Sequence, residues 1–209
     1  MGCQGASSAT STPATDAVSQ ETTPAEQPAA APTTIGETLY TPTYKPNGNE
    51  VAVIKTNKGT ITVKLLGNDA PITVGSFVEL ANKGFYNSLK FHRFEPGFVV
   101  QGGDPQTKEL TSEQVKAGAG GALGTGGPGY MIAGEFVNNP NKHVDGTLAM
   151  ARSQSPDSGG SQFYFTLGPQ SFLDNNYTVF GQTTKGLDVI HQLGVGDVIE
   201  SITIENATK

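Results

Sequence analysis

The sequence has no tryptophan, a single cysteine and no long hydrophobic run, and each shortage excludes a class of protein. A lone cysteine cannot form an internal disulfide, and with three scattered histidines it offers no metal site. No apolar stretch approaches the roughly 20 residues that a membrane-spanning helix needs. The net charge of −6, with dispersed lysines, argues against a nucleic-acid surface. What remains is a globular domain that needs no metal, cofactor or nucleic acid.

Large apolar side chains are also scarce near the amino terminus. Residues 4–38 are mainly Ser, Thr, Ala, Pro, Gln and Glu. Such a segment cannot bury enough surface to offset the entropy lost on ordering. We therefore predict a disordered tether over residues 1–39, followed by one domain over residues 40–209 with enough chain to bury a core.

Cys3 lies at the start of this tether. Gly2 and Cys3, followed by a long polar segment, resemble the mature start of a bacterial lipoprotein, in which a signal peptide is cut before a cysteine that then carries lipid. This resemblance implies an anchor at the cell membrane, on its periplasmic or extracellular face, with the lipid as the only membrane contact. Two alternatives stay open. One is myristoylation of Gly2, although Ala6 stands where that signal has Ser or Thr, and the other is a cloning remnant with an inert thiol.

The first part of the domain has clear local patterns. Residues 51–56 and 60–66 alternate in polarity around Asn57-Lys58-Gly59, which predicts a β-hairpin with glycine at a positive φ. Asp69-Ala70-Pro71 then predicts the start of a helix, with the aspartate at its positive end. An apolar stripe at helical spacing and a closing glycine follow: Val74, Phe77, Val78, Ala81 and Gly84.

The rest of the domain reads mainly as short strands. A short surface helix is predicted over Leu110–Ala117 and a second core helix over Gly186–Leu193. The predicted strands are Met131–Phe136, Gly146–Ala151, Gln162–Leu167, Val179–Thr183 and Val198–Glu205. Many short strands with two distant core helices predict a mainly β fold, a closed barrel with helices added.

The stretch Phe91 to Asp104, FHRFEPGFVVQGGD, brings an arginine, a glutamine, large apolar side chains and a Gly-Gly turn together in fourteen residues. Its period-two spacing predicts two strands joined at residues 95–97, with Arg93 and Gln101 facing the same way beside Phe98. His92 is out of phase with Arg93 and is expected on the other side. An arginine and an amide over apolar side chains predict a polar-edged apolar groove.

Several catalytic chemistries find no support in the sequence. Ser161 does not match the nucleophile elbow of a hydrolase. Glu95, Asp104 and Glu135 are isolated carboxylates, which are expected at turns or on the surface. The glycines at 124–127 lack the lysine and the strand-to-helix context of a phosphate loop.

The sequence resembles the cyclophilin-type peptidyl-prolyl cis-trans isomerases (EC 5.2.1.8). The resemblance rests on the stretch 91–104, on residues 124–127 and 160–163, and on Leu173 to Gly181, and it covers Val51 to Glu205. It implies a closed eight-stranded antiparallel β-barrel capped by two α-helices, with an active groove on the outer face, and rotation about X-Pro bonds in folding proteins. Relative to compact members of the family, residues 105–123 form an insertion.

The resemblance also implies roles for individual residues. Arg93 matches the catalytic arginine. Positions that bind the substrate are matched by Phe98, Val99, Gln101, Ala151, Arg152, Gln162, Tyr164, Phe172, Leu173 and Tyr177. Five of these depart from common family residues: Val99 (methionine), Tyr164 (phenylalanine), Arg152 (asparagine), Phe172 (tryptophan) and Tyr177 (histidine). The change at Phe172 predicts at most weak binding of cyclosporin.

The resemblance implies a monomer acting on proline-containing peptides and unfolded proteins. Two other hypotheses stay open. The first is a non-catalytic module that binds proline peptides in the same groove, against which an intact Arg93 and Gln101 count. The second is an unrelated ligand-binding barrel, which would need an interior cavity.

Overall fold

The computed structural model describes residues 39–206, which form one curled antiparallel sheet of eight strands with helices added. The strands, in chain order, are β1 (Glu50–Thr56), β2 (Gly59–Leu65), β3 (Arg93–Glu95), β4 (Val99–Gly102), β5 (Thr147–Met150), β6 (Phe163–Thr166), β7 (Val179–Lys185) and β8 (Ile199–Asn206). Their order across the sheet is β3-β4-β6-β5-β7-β2-β1-β8. The helices are α1 (Pro71–Asn82), α2 (Ser112–Lys116) and α3 (Leu187–Ile190).

Strands β1 and β2 form the predicted hairpin. Thr56 pairs with Gly59 across a two-residue turn, and Gly59 has a φ of +144°, a value that side chains disfavour. The alternating pattern buries Ala52, Ile54 and Ile61 on one face. Local alternation and one glycine are therefore enough to specify this pair of strands.

Helix α1 has the predicted apolar stripe, but its amino terminus is capped by a different residue from the one expected. Asp69 accepts a hydrogen bond from Asn141 (2.9 Å). The capping carboxylate is that of Glu135, which accepts hydrogen bonds from the backbone N–H groups of Ile72 (2.9 Å) and Thr73 (2.8 Å). A negative charge at this end of a helix is favourable. Glu135 is therefore a helix cap and not an isolated turn residue.

Aromatic rings fill the space between the sheet and α1. Phe163 is at the centre, with ring centroids 5.6 Å from Tyr86, 5.9 Å from Phe77 and 6.0 Å from Phe165, all close to edge-on. We call this group the interior cluster; its largest fully buried rings are Phe77, Tyr86, Phe91, Phe163, Phe165 and Phe180. Packed rings occupy the place where a ligand-binding barrel would have its cavity.

The closed barrel predicted from the sequence is wrong, because the strand ladder is open between β3 and β8. Strand β3 has only three residues and does not pair with β8. Instead, the chain just before β3 contacts the start of β8. Phe91 N–H donates to the Asp197 carbonyl (2.9 Å), and Ile199 N–H donates to the Leu89 carbonyl (2.8 Å). We call this contact, with the isolated bridge between Lys90 and Val198, the seam.

The predicted strand at Met131–Phe136 is also wrong. Only an isolated bridge forms there, between Ile132 and Gly159. Side chains satisfy the neighbouring amides: Gly134 N–H donates to Asp157, and Glu135 N–H to the Thr178 hydroxyl. The other predicted strands are present with ends shifted by one or two residues, and the second core helix is shorter than expected, at Leu187–Ile190. Helix α2, at Ser112–Lys116, is the predicted short surface helix and lies within the expected range 110–117.

The segment before β1 is fastened to α1 by one carboxylate. Glu79 accepts hydrogen bonds from the Tyr40 hydroxyl (2.5 Å) and from the N–H groups of Thr43 and Tyr44 (both 2.8 Å). Gly75 allows the close approach, since a Cβ there would lie 2.7 Å from the Pro42 ring. We call residues 40–44 the strap. Within residues 39–206, no helix has the length and apolarity needed to cross a bilayer.

Candidate active site

Arg93 and Gln101 lie directly opposite each other on β3 and β4, as predicted. The turn between the strands contains Gly97 at a φ of +68°. The Arg93 guanidinium lies 5.8 Å from the centroid of the Phe98 ring, and its Nε is 3.7 Å from a carboxylate oxygen of the exposed Glu95. Because about half of the Glu95 side chain is exposed to water, this ion pair holds Arg93 only weakly.

An apolar pocket lies beside this pair, on the face of the sheet away from the interior cluster. Phe172, which is 54% exposed, stacks on Phe98 at a centroid distance of 5.6 Å and forms the open rim. Beneath it lies the groove-side cluster, made up of Val99, Ala149, Ala151, Tyr164, Leu173 and Val179, with Leu66, Phe98 and Tyr177 packed against it. The structure therefore brings together the predicted pocket positions Phe98, Val99, Tyr164, Phe172, Leu173 and Tyr177.

A chain of amides fixes the orientation of Gln101. The Gly126 carbonyl can only accept, so the Gln162 Nε2 that lies 2.7 Å away must donate to it. The Gln162 oxygen then accepts from Gln101 Nε2 (2.9 Å). The second amide hydrogen and the oxygen of Gln101 are left for other partners. Gln162 thus orients the amide that the sequence assigns to the substrate.

The glycine-rich loop is held by Asp104, whose role was missed at the sequence level. Its buried carboxylate accepts hydrogen bonds from the N–H groups of Gly124 (2.5 Å), Gly126 (3.4 Å) and Gln106 (2.8 Å). A Cβ at Gly126 would lie 2.1 Å from Asp104, so only glycine fits there. The Gly-Gly-Asp order next to a glycine-rich segment was the available signal.

A cavity of about 150 Å³ opens between this loop and the chain from Ala151 to Gln162. Among the described residues 39–206, Arg152 is the only charged one in its lining. The Arg152 guanidinium lies 4.7 Å from the centroid of the Tyr177 ring and 5.4 Å from that of Phe136. Its Nε donates to the Asn176 carbonyl (2.9 Å), so the side chain connects residue 152 to the segment that precedes β7.

The predicted peptide-pairing backbone at Ala151 and Arg152 is only partly available. Ala151 N–H already donates to the Gln162 carbonyl (3.0 Å). Any pairing with a peptide would use the remaining backbone groups. The substrate roles of these two residues stay predictions.

The three histidines have different surroundings. His92 is mostly buried and neither ring nitrogen has a hydrogen-bond partner among residues 39–206; burial lowers its pKa. His143 is buried behind the pocket, and His191 is exposed and paired with Asp145. No group of three His, Cys, Asp or Glu residues within 39–206 could hold a metal ion, and Cys3 lies outside the described residues.

Comparison with known proteins agrees with this geometry. The family model described as cyclophilin type peptidyl-prolyl cis-trans isomerase/CLD matches residues 51–209. A peptidyl-prolyl cis-trans isomerase of Helicobacter pylori is 44% identical over 158 residues, covering 75% of this chain and 87% of the relative. Peptidyl-prolyl cis-trans isomerase B of Bacillus subtilis is 42% identical over 145 residues, covering 69% and 90%.

Solved structures give the same assignment. A cyclophilin type isomerase from Cryptosporidium parvum superposes with a TM-score of 0.64 at 25% identity, covering 76% of this chain and 99% of that one. A second structure of that protein, determined in the presence of the dipeptide Ala-Pro, gives a TM-score of 0.63 at 26% identity. The chain belongs to the cyclophilin-type peptidyl-prolyl cis-trans isomerase family.

Proposed function

We propose that the groove rotates X-Pro bonds by electrostatic stabilisation, with Arg93 as the catalytic residue and no covalent intermediate. The observation that carries this proposal is the placement of Arg93 opposite Gln101 and over Phe98, at the edge of the apolar pocket. A charged donor, a polar clamp and an apolar seat for a ring are thereby within reach of one short peptide.

The chemistry needs no nucleophile. Rotation about a peptide bond must break amide resonance, which sets a barrier of about 18–20 kcal/mol. Twisting the bond localises a lone pair on the proline nitrogen, and a guanidinium aimed at that nitrogen stabilises the twisted state more than either planar state. A charge-assisted hydrogen bond contributes about 1.5–3 kcal/mol, which corresponds to about one or two orders of magnitude in rate.

The other positions divide the work of holding the peptide. In this proposal the proline ring sits on the groove-side cluster, against Phe98, Val99 and Tyr164, with Leu173 beside them. Phe172 and Tyr177 border the rim. Gln101 and the backbone at residues 151–152 hold the residue before proline.

Arg93→Ala tests the catalytic role. We expect kcat/KM for cis-to-trans conversion of a short X-Pro peptide to fall by about 10- to 100-fold, because the twisted state loses its charged donor. Arg93→Lys should recover only part of this loss, since an ammonium lacks the planar fork of a guanidinium. Lys64→Ala, on an exposed position of β2, is the matched control and should keep full activity.

Two outcomes would overturn this mechanism. One is an Arg93→Ala variant that keeps its full rate while remaining folded. The other is a wild-type protein that binds proline peptides but leaves their uncatalysed rate unchanged, which would favour the binding-module alternative.

We also propose that the enzyme assists folding outside the cytoplasm, held at a bacterial membrane by lipid on Cys3. The support is the sequence of residues 1–39 alone. In cells expressing the full precursor, the wild type should partition into the membrane fraction, and Cys3→Ser should shift it to the soluble fraction without changing isomerase activity. A wild type found wholly in the soluble fraction would refute the anchor.

A further inference from the structure

Behind the pocket lies a buried polar group that the proposed mechanism does not use. His143 has a fully buried side chain, and both ring nitrogens are engaged. Nδ1 lies 3.0 Å from Asp174 Oδ1, and Nε2 lies 3.1 Å from the Tyr164 hydroxyl. Asp174 also accepts the His143 backbone N–H (2.9 Å). Burying a polar imidazole costs free energy unless its nitrogens are paired, so the position of His143 calls for an explanation.

The hydrogen bonds of His143 join two sides of the pocket. Its ring holds Tyr164, which forms the floor on β6. Its carbonyl accepts the N–H of Gln170 (2.7 Å), and Asp174 binds its amide and Nδ1. Gln170 and Asp174 flank the 3₁₀ turn Ser171–Leu173. This turn contains Phe172, at the rim of the pocket, and Leu173, in its wall. One histidine thus fixes the floor relative to the wall.

The direction of each bond follows from its partners. An ionised carboxylate only accepts, so the proton of a neutral imidazole is on Nδ1, next to Asp174. Nε2 then offers a lone pair, and the Tyr164 hydroxyl donates to it. Burial lowers the pKa of His143 and raises that of Tyr164 well above its ordinary value, which keeps the imidazole neutral and the phenol protonated.

This arrangement determines whether the Tyr164 side chain presents an apolar ring or a polar hydroxyl to the proline pocket. Tyr164 packs with Val99 and Leu173, and at this position phenylalanine is common in the family. A hydroxyl free to rotate would place an unsatisfied polar hydrogen among these apolar side chains. Because the Tyr164 hydroxyl donates its one proton to His143, the phenol ring keeps a fixed orientation and presents only its apolar face to the pocket.

Resting on the proposed placement of proline against Tyr164, we infer that His143 and Asp174 are positioning residues of the isomerase, which hold the Tyr164 ring as the floor of the proline pocket. They touch no substrate atom in this scheme. Their effect on catalysis passes through the phenol.

A double-mutant cycle tests the inference through KM and kcat for a short X-Pro peptide. His143→Leu in the wild-type background should raise KM about 5-fold, within the coupling range of directly contacting residues, and leave kcat within about 2-fold. In a Tyr164→Phe background the same substitution should change KM by less than about 2-fold, because no hydroxyl remains to be directed. His191→Leu is the matched control: it removes a histidine paired with an aspartate at the same 3.0 Å, but on the surface.

Equal increases in KM in both backgrounds would overturn the inference, as would no increase in either. If His143→Leu does not fold, ¹⁵N NMR of the wild-type histidines decides. We expect a proton on Nδ1 of His143 and none on Nε2, with the Nε2 resonance shifting in Tyr164→Phe; a proton on Nε2 would contradict the scheme. An inactive wild type with the expected tautomer would instead reject the proposed function, and an active wild type with no coupling would reject only this inference.

Discussion

Each of the two apolar clusters buries one tyrosine, and the two hydroxyls have opposite surroundings. In the interior cluster, the Tyr86 hydroxyl has no hydrogen-bond partner among residues 39–206. In the groove-side cluster, the Tyr164 hydroxyl is bound by His143. Tyr86 is surrounded by rings on several sides, so its volume is what matters, whereas Tyr164 borders a pocket and must keep its orientation. We therefore expect the interior cluster to contribute mainly to stability, and the groove-side cluster, under the proposed function, to hold the proline ring.

Truncating one large side chain in each cluster gives the largest effect and tests this division. Phe163→Ala should lower the free energy of unfolding by about 3–5 kcal/mol, because it removes the ring at the centre of the interior cluster. Leu173→Ala, beside the groove, should cost about 2 kcal/mol and raise KM for an X-Pro peptide. Denaturant unfolding and peptide kinetics measure the two. A greater loss of stability for Leu173→Ala would reverse the assignment of the clusters.

Removing only the hydroxyl from each buried tyrosine should give smaller changes of opposite sign. Tyr164→Phe should lower the free energy of unfolding by about 1 kcal/mol, because it leaves the buried Nε2 of His143 unpaired. Tyr86→Phe should leave stability unchanged or raise it by up to about 1 kcal/mol, since no hydrogen bond is lost. Denaturant midpoints compare the pair directly. Equal destabilisation by both variants would show that Tyr86 has a partner, such as a buried water.

A third phenol, that of Tyr40 in the strap, extends the comparison to a hydroxyl bound by a charged group. Burial opposes ionisation of Glu79, but hydrogen bonds from Tyr40, Thr43 and Tyr44 outweigh it and lower the pKa of Glu79 from 4.5 to about 2. A lowered pKa stabilises the folded state above pH 4.5, and this contribution is lost as pH falls towards 2. The strap should therefore loosen across that interval.

Glu79→Gln provides the control for this pH dependence. The variant should lack the Glu79 part of the stability change between pH 4.5 and 2, while its other carboxylates titrate as before. Amide hydrogen exchange of Thr43 and Tyr44, whose N–H groups bind the carboxylate, reports the strap itself. Protection of these amides that stays constant down to pH 2 in the wild type would contradict the assignment.

The features predicted correctly from the sequence are those encoded over a few neighbouring residues. Alternation and Gly59 specified the β1–β2 hairpin, and helical spacing specified the buried stripe of α1. The pairing of Arg93 with Gln101 followed from alternation on both sides of a turn at Gly97. The family resemblance assigned the pocket positions; the structure brings them together, while their roles in binding stay predictions.

The features that were missed depend on side chains far apart in the chain. Glu135 caps a helix that begins more than 60 residues earlier, and Asp104 binds a loop about 20 residues later. His143 reaches Tyr164 across 21 residues. None of these contacts leaves a periodic pattern in the sequence. The predicted strand at Met131–Phe136 is wrong for the same reason, because distant side chains accept the hydrogen bonds of its backbone N–H groups.

The seam has a consequence for where the molecule opens. Local unfolding of a protein starts at elements with few backbone bonds, and its free energy there lies well below that of global unfolding. Strand β3 has a short ladder to β4 on one side and only the seam next to its other edge. We therefore expect the strand that carries Arg93 to open locally before the β1–β2 hairpin, which is paired with β7 and β8 on its two sides. Under the proposed mechanism, the residue that meets the twisting bond therefore lies on a three-residue strand next to the seam.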